Sequence, residues 1–301
     1  MSRVTLIVAP FHYGVRHVRV GAGPNRILAN NLVPRLEALG FIVDIHEISP
    51  VDAYYDGDLG KSLEVIRRVA KVVRSAVKDS AFPIVLAGNC NTSIGLAAGL
   101  DKNDLEIAWL DAHSDLDSPE ETTEGYVDHM TVSMLTGDCW KAAMGTVPGF
   151  APIPLDRFVF CGTRDLSDPQ YHKLVRSPAQ TVFGRSEAYD ELAELRVAFE
   201  IRLQQVLGKV TQAPCLVHLD VDCLDRSVGM ANEYAVPGGP TGRELLSCLD
   251  VIGLMRCPVG LALASFNPDL EGADTVAQVA TDAIVHLVGL DKSREGQSCL
   301  V

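Results

Sequence analysis

Short apolar runs rich in Val, Ile and Leu alternate along the chain with longer stretches whose apolar positions recur at helical spacing. The runs at residues 4–10, 41–48, 83–87, 106–110, 157–162, 181–183, 216–222 and 260–266 predict strands. Several are apolar at successive positions, as in Phe158-Val159-Phe160-Cys161. That pattern predicts strands covered on both faces of a parallel sheet. Helices are predicted over 24–39, 63–77, 187–207, 241–252 and 273–288. The alternation of the two kinds of element predicts an α/β fold, either a three-layer α/β/α sandwich or a barrel. No Pro/Ser-rich linker or internal repeat interrupts it, so residues 1–301 are read as a single domain. The stretch 291–301 is polar and is expected to be a loosely ordered tail.

Composition narrows the class of protein. Of 301 residues, 47% are hydrophobic and 22% charged, values ordinary for a globular chain. Acidic residues number 39 against 26 Lys and Arg, for a formal net charge of −13. Such a surplus argues against nucleic acid and against an anionic membrane as partners. No apolar run is long enough to span a bilayer, and the N-terminal apolar run is too short for a signal peptide. The eight cysteines form no C-x-x-C pair and mostly sit in apolar stretches, which predicts buried thiols in a reducing, cytoplasmic setting.

In α/β folds the active site lies beyond the carboxyl ends of the parallel strands. The polar residues that follow the strands are therefore the informative ones. Leu110 is followed by Asp111-Ala112-His113-Ser114-Asp115-Leu116-Asp117. The strand containing Leu219 runs into Asp220-Val221-Asp222-Cys223-Leu224-Asp225. Packed together, so many carboxylates would repel one another and raise their own pKa values. A divalent cation resolves the repulsion, and mixed carboxylate and imidazole ligands suit Mn, Fe or Zn. Carboxylates able to bridge suit two ions sharing a water, which becomes a nucleophile near neutral pH. Either loop alone could be a helix cap or a turn. The two together, each after a buried strand, favour a metal centre.

On these motifs the sequence resembles the arginase–agmatinase family of ureohydrolases. The resemblance covers nearly the whole chain. It includes Ala9-Pro10-Phe11 with Gly21-Ala22-Gly23-Pro24, the Asp111–Asp115 motif, Gly162-Thr163-Arg164-Asp165, the Asp220–Asp225 motif with Gly238-Gly239, and Phe266-Asn267-Pro268. It implies a three-layer sandwich around a mainly parallel, about eight-stranded sheet. It also implies two divalent ions, manganese foremost, and hydrolysis of a guanidino or amidino C–N bond by a metal-bridging hydroxide. Carried over by motif position, Asp111 and Asp220 would bridge the ions. Asp115 would bind the first ion and hold the hydroxide, and His113 and Asp222 would bind the second. A trimer or hexamer is the assembly implied.

Three departures from the family pattern bear on the chemistry. In Ala87-Gly88-Asn89-Cys90-Asn91, Cys90 stands where the family has a histidine ligand of the first ion. A thiolate prefers Zn, Fe or Cu(I) over hard Mn. Cys90 is expected to ligate nonetheless, the alternative being a merely buried thiol beside a weak site. In Gly125-Tyr126-Val127-Asp128-His129-Met130, Asp128 falls on the family's proton-shuttling histidine and His129 comes one residue late. Either could move protons, with Asp128 preferred. Ser265 replaces a glutamate that faces the guanidinium, and Tyr234 replaces a threonine beside the reacting group. Asp117 and Asp168 align loosely with residues that bind the substrate's amino-acid end, although Asp117 would repel a carboxylate. These changes draw plain arginine and agmatine into doubt. They leave an N-hydroxyarginine-type or formimino compound as alternatives, and a non-catalytic protein of the same fold as the competing class. His218 shares a strand face with Asp220 and Asp222 and is read either as supporting a ligand or as bonded to backbone.

Overall fold

The computed structural model describes residues 2–51, 57–122, 124–186, 197–211 and 213–292. Eight strands form its main sheet: β1 (Arg3–Ala9), β2 (Ile42–Glu47), β3 (Ala81–Ala87), β4 (Glu106–Leu110), β5 (Phe158–Cys161), β6 (Gln180–Val182), β7 (Pro214–Asp220) and β8 (Cys257–Ala264). Every pairing between them is parallel, and their spatial order is β2-β1-β3-β8-β7-β4-β5-β6. Each of the eight predicted strands is found, with ends shifted by a few residues.

Alternate residues of each strand feed two separate cores. Leu6, Ile84, Leu86, Ala108, Leu110, Val217 and Leu219 point to the helices Phe199–Leu207, Gly242–Met255 and Ala273–Lys292. Ile7, Val85, Ile107, Trp109 and Leu216 point to the helices Asp58–Lys78 and Thr92–Leu100. A strand sandwiched in this way has no solvated face, which is why its sequence is continuously apolar. The result is a three-layer α/β/α sandwich; the barrel left open by the alternation is not formed. Among the described residues, no helix is long and apolar enough to cross a membrane, and the seven cysteines are buried and form no disulfide.

The helices depart from expectation more than the strands do. The single helix expected over 24–39 is broken into Gly23–Ile27, a π-helical turn Leu28–Leu32, and Val33–Ala38. Asn31 adopts a left-handed φ of 57°, and Asn30 turns its amide onto Ala277 O and Thr281 Oγ1 at 3.2 and 3.0 Å. A side chain that bonds elsewhere and a left-handed residue together interrupt the i to i−4 ladder. The helix expected over 187–207 is described only from Phe199; 187–196 lies outside the described residues. The same holds for the expected tail from 293 onward, while Asp291 and Lys292 close the last helix. Thr92–Leu100 was not predicted because all nine of its residues are buried, so it has no polar face to give an amphipathic signal.

Candidate metal centre

Four adjacent central strands, β3, β8, β7 and β4, deliver the polar loops to one edge of the sheet. β8 comes last in the chain yet lies between β3 and β7, so the loops of both chain halves converge there. β3 leads into Gly88-Asn89-Cys90-Asn91. Gly88 packs so closely on Phe11 O and Gly21 Cα that any Cβ would clash, which keeps the loop tight against the opening segment. β8 leads into Ser265, whose N–H donates to Gly88 O at 2.9 Å. Ser265 and Asp115 both hold left-handed backbone conformations, with φ of 65° and 49°. Such strain at non-glycine residues concentrates at functional sites.

The carboxylates lie where the motifs place them. Asp111, Asp115, Asp220 and Asp222 are all buried. Asp111 Oδ1 accepts from His113 N at 2.7 Å and faces its Nδ1 at 3.2 Å. His113 Nδ1 also lies 3.4 Å from Asp222 Oδ2, and its Nε2 lies 3.4 Å from Asp165 Oδ2. Among the described residues, two groups have ligand atoms within 4.8 Å of one another: Asp111, His113 and Asp222, and then Cys90, Asp111, His218 and Asp220. Asp111 belongs to both. Asp115 is in neither group but lines the same cleft, and its Oδ2 has no hydrogen-bond partner.

Electrostatics show what the cluster lacks. Burial, then repulsion from Asp222, pushes Asp111 up to about 6. Burial and neighbouring carboxylates also push Asp115 and Asp220 well above the carboxylate range. Burial alone would lower His113, but Asp222, Asp111 and Asp165 outweigh it and hold the ring protonated. Burial would raise Asp222, yet His113, Asn232 and Arg164 pull it below its usual value. Carboxylates whose neutral forms are favoured only by burial and mutual repulsion are short of positive charge, and a cation supplies it. The donor set, the unpartnered Asp115 Oδ2 and the unpartnered His218 Nε2 therefore fit divalent ions.

The surrounding residues fix this geometry. Arg164, buried, donates to the carbonyls of Gly162, Asp222, Cys223, Leu224, Val236 and Pro237 at 2.8–3.1 Å. It pins the loop that carries Asp222. Asn232 Nδ2 donates to Asp222 Oδ2 at 2.8 Å, and Trp109 Nε1 donates to Asp111 Oδ2 at 3.1 Å. Cys90 Sγ donates to Asp220 Oδ2 at 2.9 Å and lies 3.1 Å from Ser265 Oγ. Burial and the carboxylates of Asp220 and Asp128 push its thiol well above the usual range.

The cleft above the cluster includes Cys90, Asp128, His129, Tyr234 and Ser265 among its walls. Asp128 is buried and held by Asn89 Nδ2 at 2.7 Å and by Asn91 N at 3.0 Å. Burial pushes its carboxyl up to about 6. His129 needs no swing to reach the cleft: its ring lies 6.1 Å from that of His113 and 5.6 Å from that of Tyr234. Burial, then the nearby His113, lowers its pKa. Both residues over which the sequence was divided thus face the cluster.

The other two expected substrate contacts lie further out. Asp117 accepts from Gln170 Nε2 at 2.8 Å. Asp168 is exposed in the first turn of the helix Asp168–Arg176, while Asp165, Ser167 and Gln170 of the same segment line the recess beside His113. The turn before the helix, closed by a Ser167–Gln170 capping box, directs Asp168 outward. Sequence reading missed His12, Arg19, Tyr126, Asn232 and Glu233, which also line the cleft. They come from three stretches, the opening segment and those just before Asp128 and Tyr234, and none carries a motif. Glu233 pairs with Arg19 at 3.2 Å and accepts from Asn267 Nδ2 at 3.1 Å.

Fold and site together define an α/β sandwich with a buried carboxylate, imidazole and thiol cluster suited to divalent cations. The sequence profile of the arginase family matches residues 2–289. The chain is 30% identical to arginase-2, mitochondrial, of Homo sapiens over 311 aligned positions, which span 97% of this chain and 86% of that protein. It is 26% identical to an arginase of Staphylococcus aureus, spanning 93% and 95% of the two. Among solved structures, the arginase of Bacillus subtilis superposes with a TM-score of 0.79 at 23% identity, covering 96% of this chain and 99% of that one. The arginase of Bacillus cereus gives 0.81 at 20% identity, covering 95% and 98%. The chain belongs to the arginase family, whose members are hydrolases acting on C–N bonds.

Proposed function

We propose that the protein hydrolyses a C–N bond of a small guanidino or amidino compound at a two-ion centre. The observation that carries this reading is the pair of ligand groups sharing Asp111 at the ends of β4 and β7. Cys90, Asp111, Asp115 and Asp220 are assigned to the first ion, and Asp111, His113, Asp220 and Asp222 to the second, with manganese the metal expected from the family. Divalent ions held by these residues would supply a Lewis acid and a water whose pKa is lowered to near neutrality.

The protein's own groups complete the chemistry. Asp115, with its free Oδ2 in the cleft, orients the attacking water. Asp128 or His129 carries the proton to the departing amine; both face the cleft and both have pKa values displaced by burial. Tyr234 closes the wall opposite His113, its ring edge-on at 6.2 Å.

The cleft favours a weakly basic reacting group over plain arginine. At the expected glutamate position, Ser265 offers only a hydroxyl, and that hydroxyl is turned to Cys90. Glu233, a carboxylate on the cleft wall, is paired with Arg19 at 3.2 Å. An N-hydroxyguanidino or formimino group needs a countercharge less. The test is turnover of guanidino, N-hydroxyguanidino and formimino compounds by metal-loaded protein, read as urea, hydroxyurea or formamide. Release from any of them supports the reading. Silence from all of them, with no thermal stabilisation by added manganese, would mark a non-catalytic member of the family.

A further inference from the structure

One buried histidine has been given no task in this chemistry. His218 lies on β7, two residues before Asp220 and on the same face of the sheet, and is fully buried. Its ring stacks on Trp109 with centroids 3.6 Å apart and planes 17° apart, so its orientation is fixed. Trp109 is its register partner on β4. Nδ1 lies 2.8 Å from Ser93 Oγ, on the helix that follows the Cys90 loop. Nε2 is buried and has no hydrogen-bond partner. An imidazole nitrogen of His218 lies within 4.8 Å of Cys90 Sγ and of carboxylate oxygens of Asp111 and Asp220.

An orphaned buried ring nitrogen costs free energy in an apolar interior unless something binds it. Ser93 Oγ can accept from the Nδ1 hydrogen, which places the ring's lone pair on Nε2. This is the usual arrangement of a metal-bound imidazole, whose second nitrogen is held by a neighbouring oxygen. We propose that His218 is an additional protein ligand of the first ion, through Nε2. We further propose that the resulting Cys90, His218, Asp111 and Asp220 set selects a borderline-soft divalent ion, with zinc as the type, over manganese. In this set His218 takes the coordination place given above to Asp115, whose Oδ2 is left to the attacking water, and one thiolate, one imidazole and two carboxylates form a four-coordinate set of the kind zinc takes. On binding, the Cys90 thiol proton is released to solvent and its sulfur bonds the ion. The second position, with carboxylates and His113, keeps the harder preference. The two ions of the centre would then differ in kind. The inference rests on reading the cluster as a metal centre.

The test uses the metal-free full-length protein titrated with zinc, manganese or cobalt. One equivalent of zinc is expected to bind in a position from which excess manganese does not displace it. One equivalent of cobalt is expected to give a near-ultraviolet thiolate-to-metal absorption band that Cys90→Ala abolishes. His218→Ala should lower zinc affinity by about tenfold or more while leaving manganese binding at the second position unchanged. Unchanged zinc affinity in His218→Ala would overturn the proposal. Should that variant fail to fold, zinc-edge X-ray absorption on His113→Ala loaded with one equivalent decides the matter. Sulfur together with imidazole scattering supports the proposal, and the absence of imidazole refutes it. Turnover is a separate readout. An inert protein whose zinc depends on His218 keeps this inference and loses the hydrolase reading. An active protein whose metal is indifferent to His218 does the reverse.

Discussion

The two halves of the cluster share Asp111 but are built on different electrostatics. Around the second position the protein supplies its own positive charge. His113 is held protonated between Asp111, Asp222 and Asp165, and Arg164 lies behind Asp222. Asp222 is accordingly held ionised. Around the first position the field at Cys90 is set by the carboxylates of Asp220, Asp128, Asp115 and Asp111. Cys90 is hydrogen-bonded to Asp220 and Ser265, His218 leaves its Nε2 without a partner, and Asp220 and Cys90 are both pushed toward their protonated forms. Both halves must release protons to bind, the first from Cys90 and Asp220 and the second from the His113 ring. In physical terms, the first half is the more dependent on its metal for charge, and the second on its scaffold.

The two positions are joined at Asp111. Asp111→Asn should empty both positions and cut turnover by about a thousandfold or more, since neither ion retains its bridge. Metal stoichiometry and initial rates check it, and retention of either ion would show that the halves are not joined there. Arg164→Met comes next. It leaves the carbonyls of the Asp222 loop without their donor and should cost about 3 kcal/mol of stability. Thermal unfolding of the metal-free protein reads this, with manganese affinity weakened more than zinc affinity.

A smaller effect is expected from Asp128→Asn. An amide has one carbonyl oxygen, so the variant cannot accept from both Asn89 Nδ2 and Asn91 N as the carboxylate does. The Cys90 loop should loosen and the first ion bind about tenfold more weakly, with the second unaffected. Isothermal titration with each metal separates the two; equal weakening of both would erase the distinction drawn here.

The smallest effect lies in the scaffold alone. Glu244 caps the helix Gly242–Met255 with Thr241 and pairs with Arg185. Burial would raise its pKa, but the Arg185 and Thr241 hydrogen bonds outweigh it and hold it below the usual value. A depressed folded pKa contributes stability above the unfolded value of about 4.3 and loses it as pH falls below that. Glu244→Gln should therefore cost about 1 kcal/mol at pH 7, a deficit that shrinks between about pH 4.5 and pH 3. Melting temperatures across that range check the sign, and metal affinities should not change.

The strands and the metal motifs were legible because their signals are local. A strand buried on both faces must be apolar throughout, and a loop at its end can hold Asp, His and Asp only if something offsets their repulsion. Asp111, His113, Asp115, Asp220 and Asp222 could be read in this way, and the departures at Cys90, Asp128, Tyr234 and Ser265 stood out against the same frame. Helices were harder. Thr92–Leu100 has no polar face, and the break at Asn30 and Asn31 depends on Ala277 and Thr281, nearly the whole chain away.

Chain order thus set which residues could serve as ligands, since strand periodicity and loop position are properties of short segments. Their grouping came from the sheet. Placing β8 and β7 between β3 and β4 brings Cys90, Ser265, Asp220 and Asp111 to one edge, which no spacing in the sequence encodes. The placement of His129, Glu233 and above all His218 was decided there as well. A histidine two residues before an aspartate is an ordinary strand residue until Ser93 occupies one of its nitrogens and the other is left, buried and unpaired, beside the thiol and carboxylates of the first position.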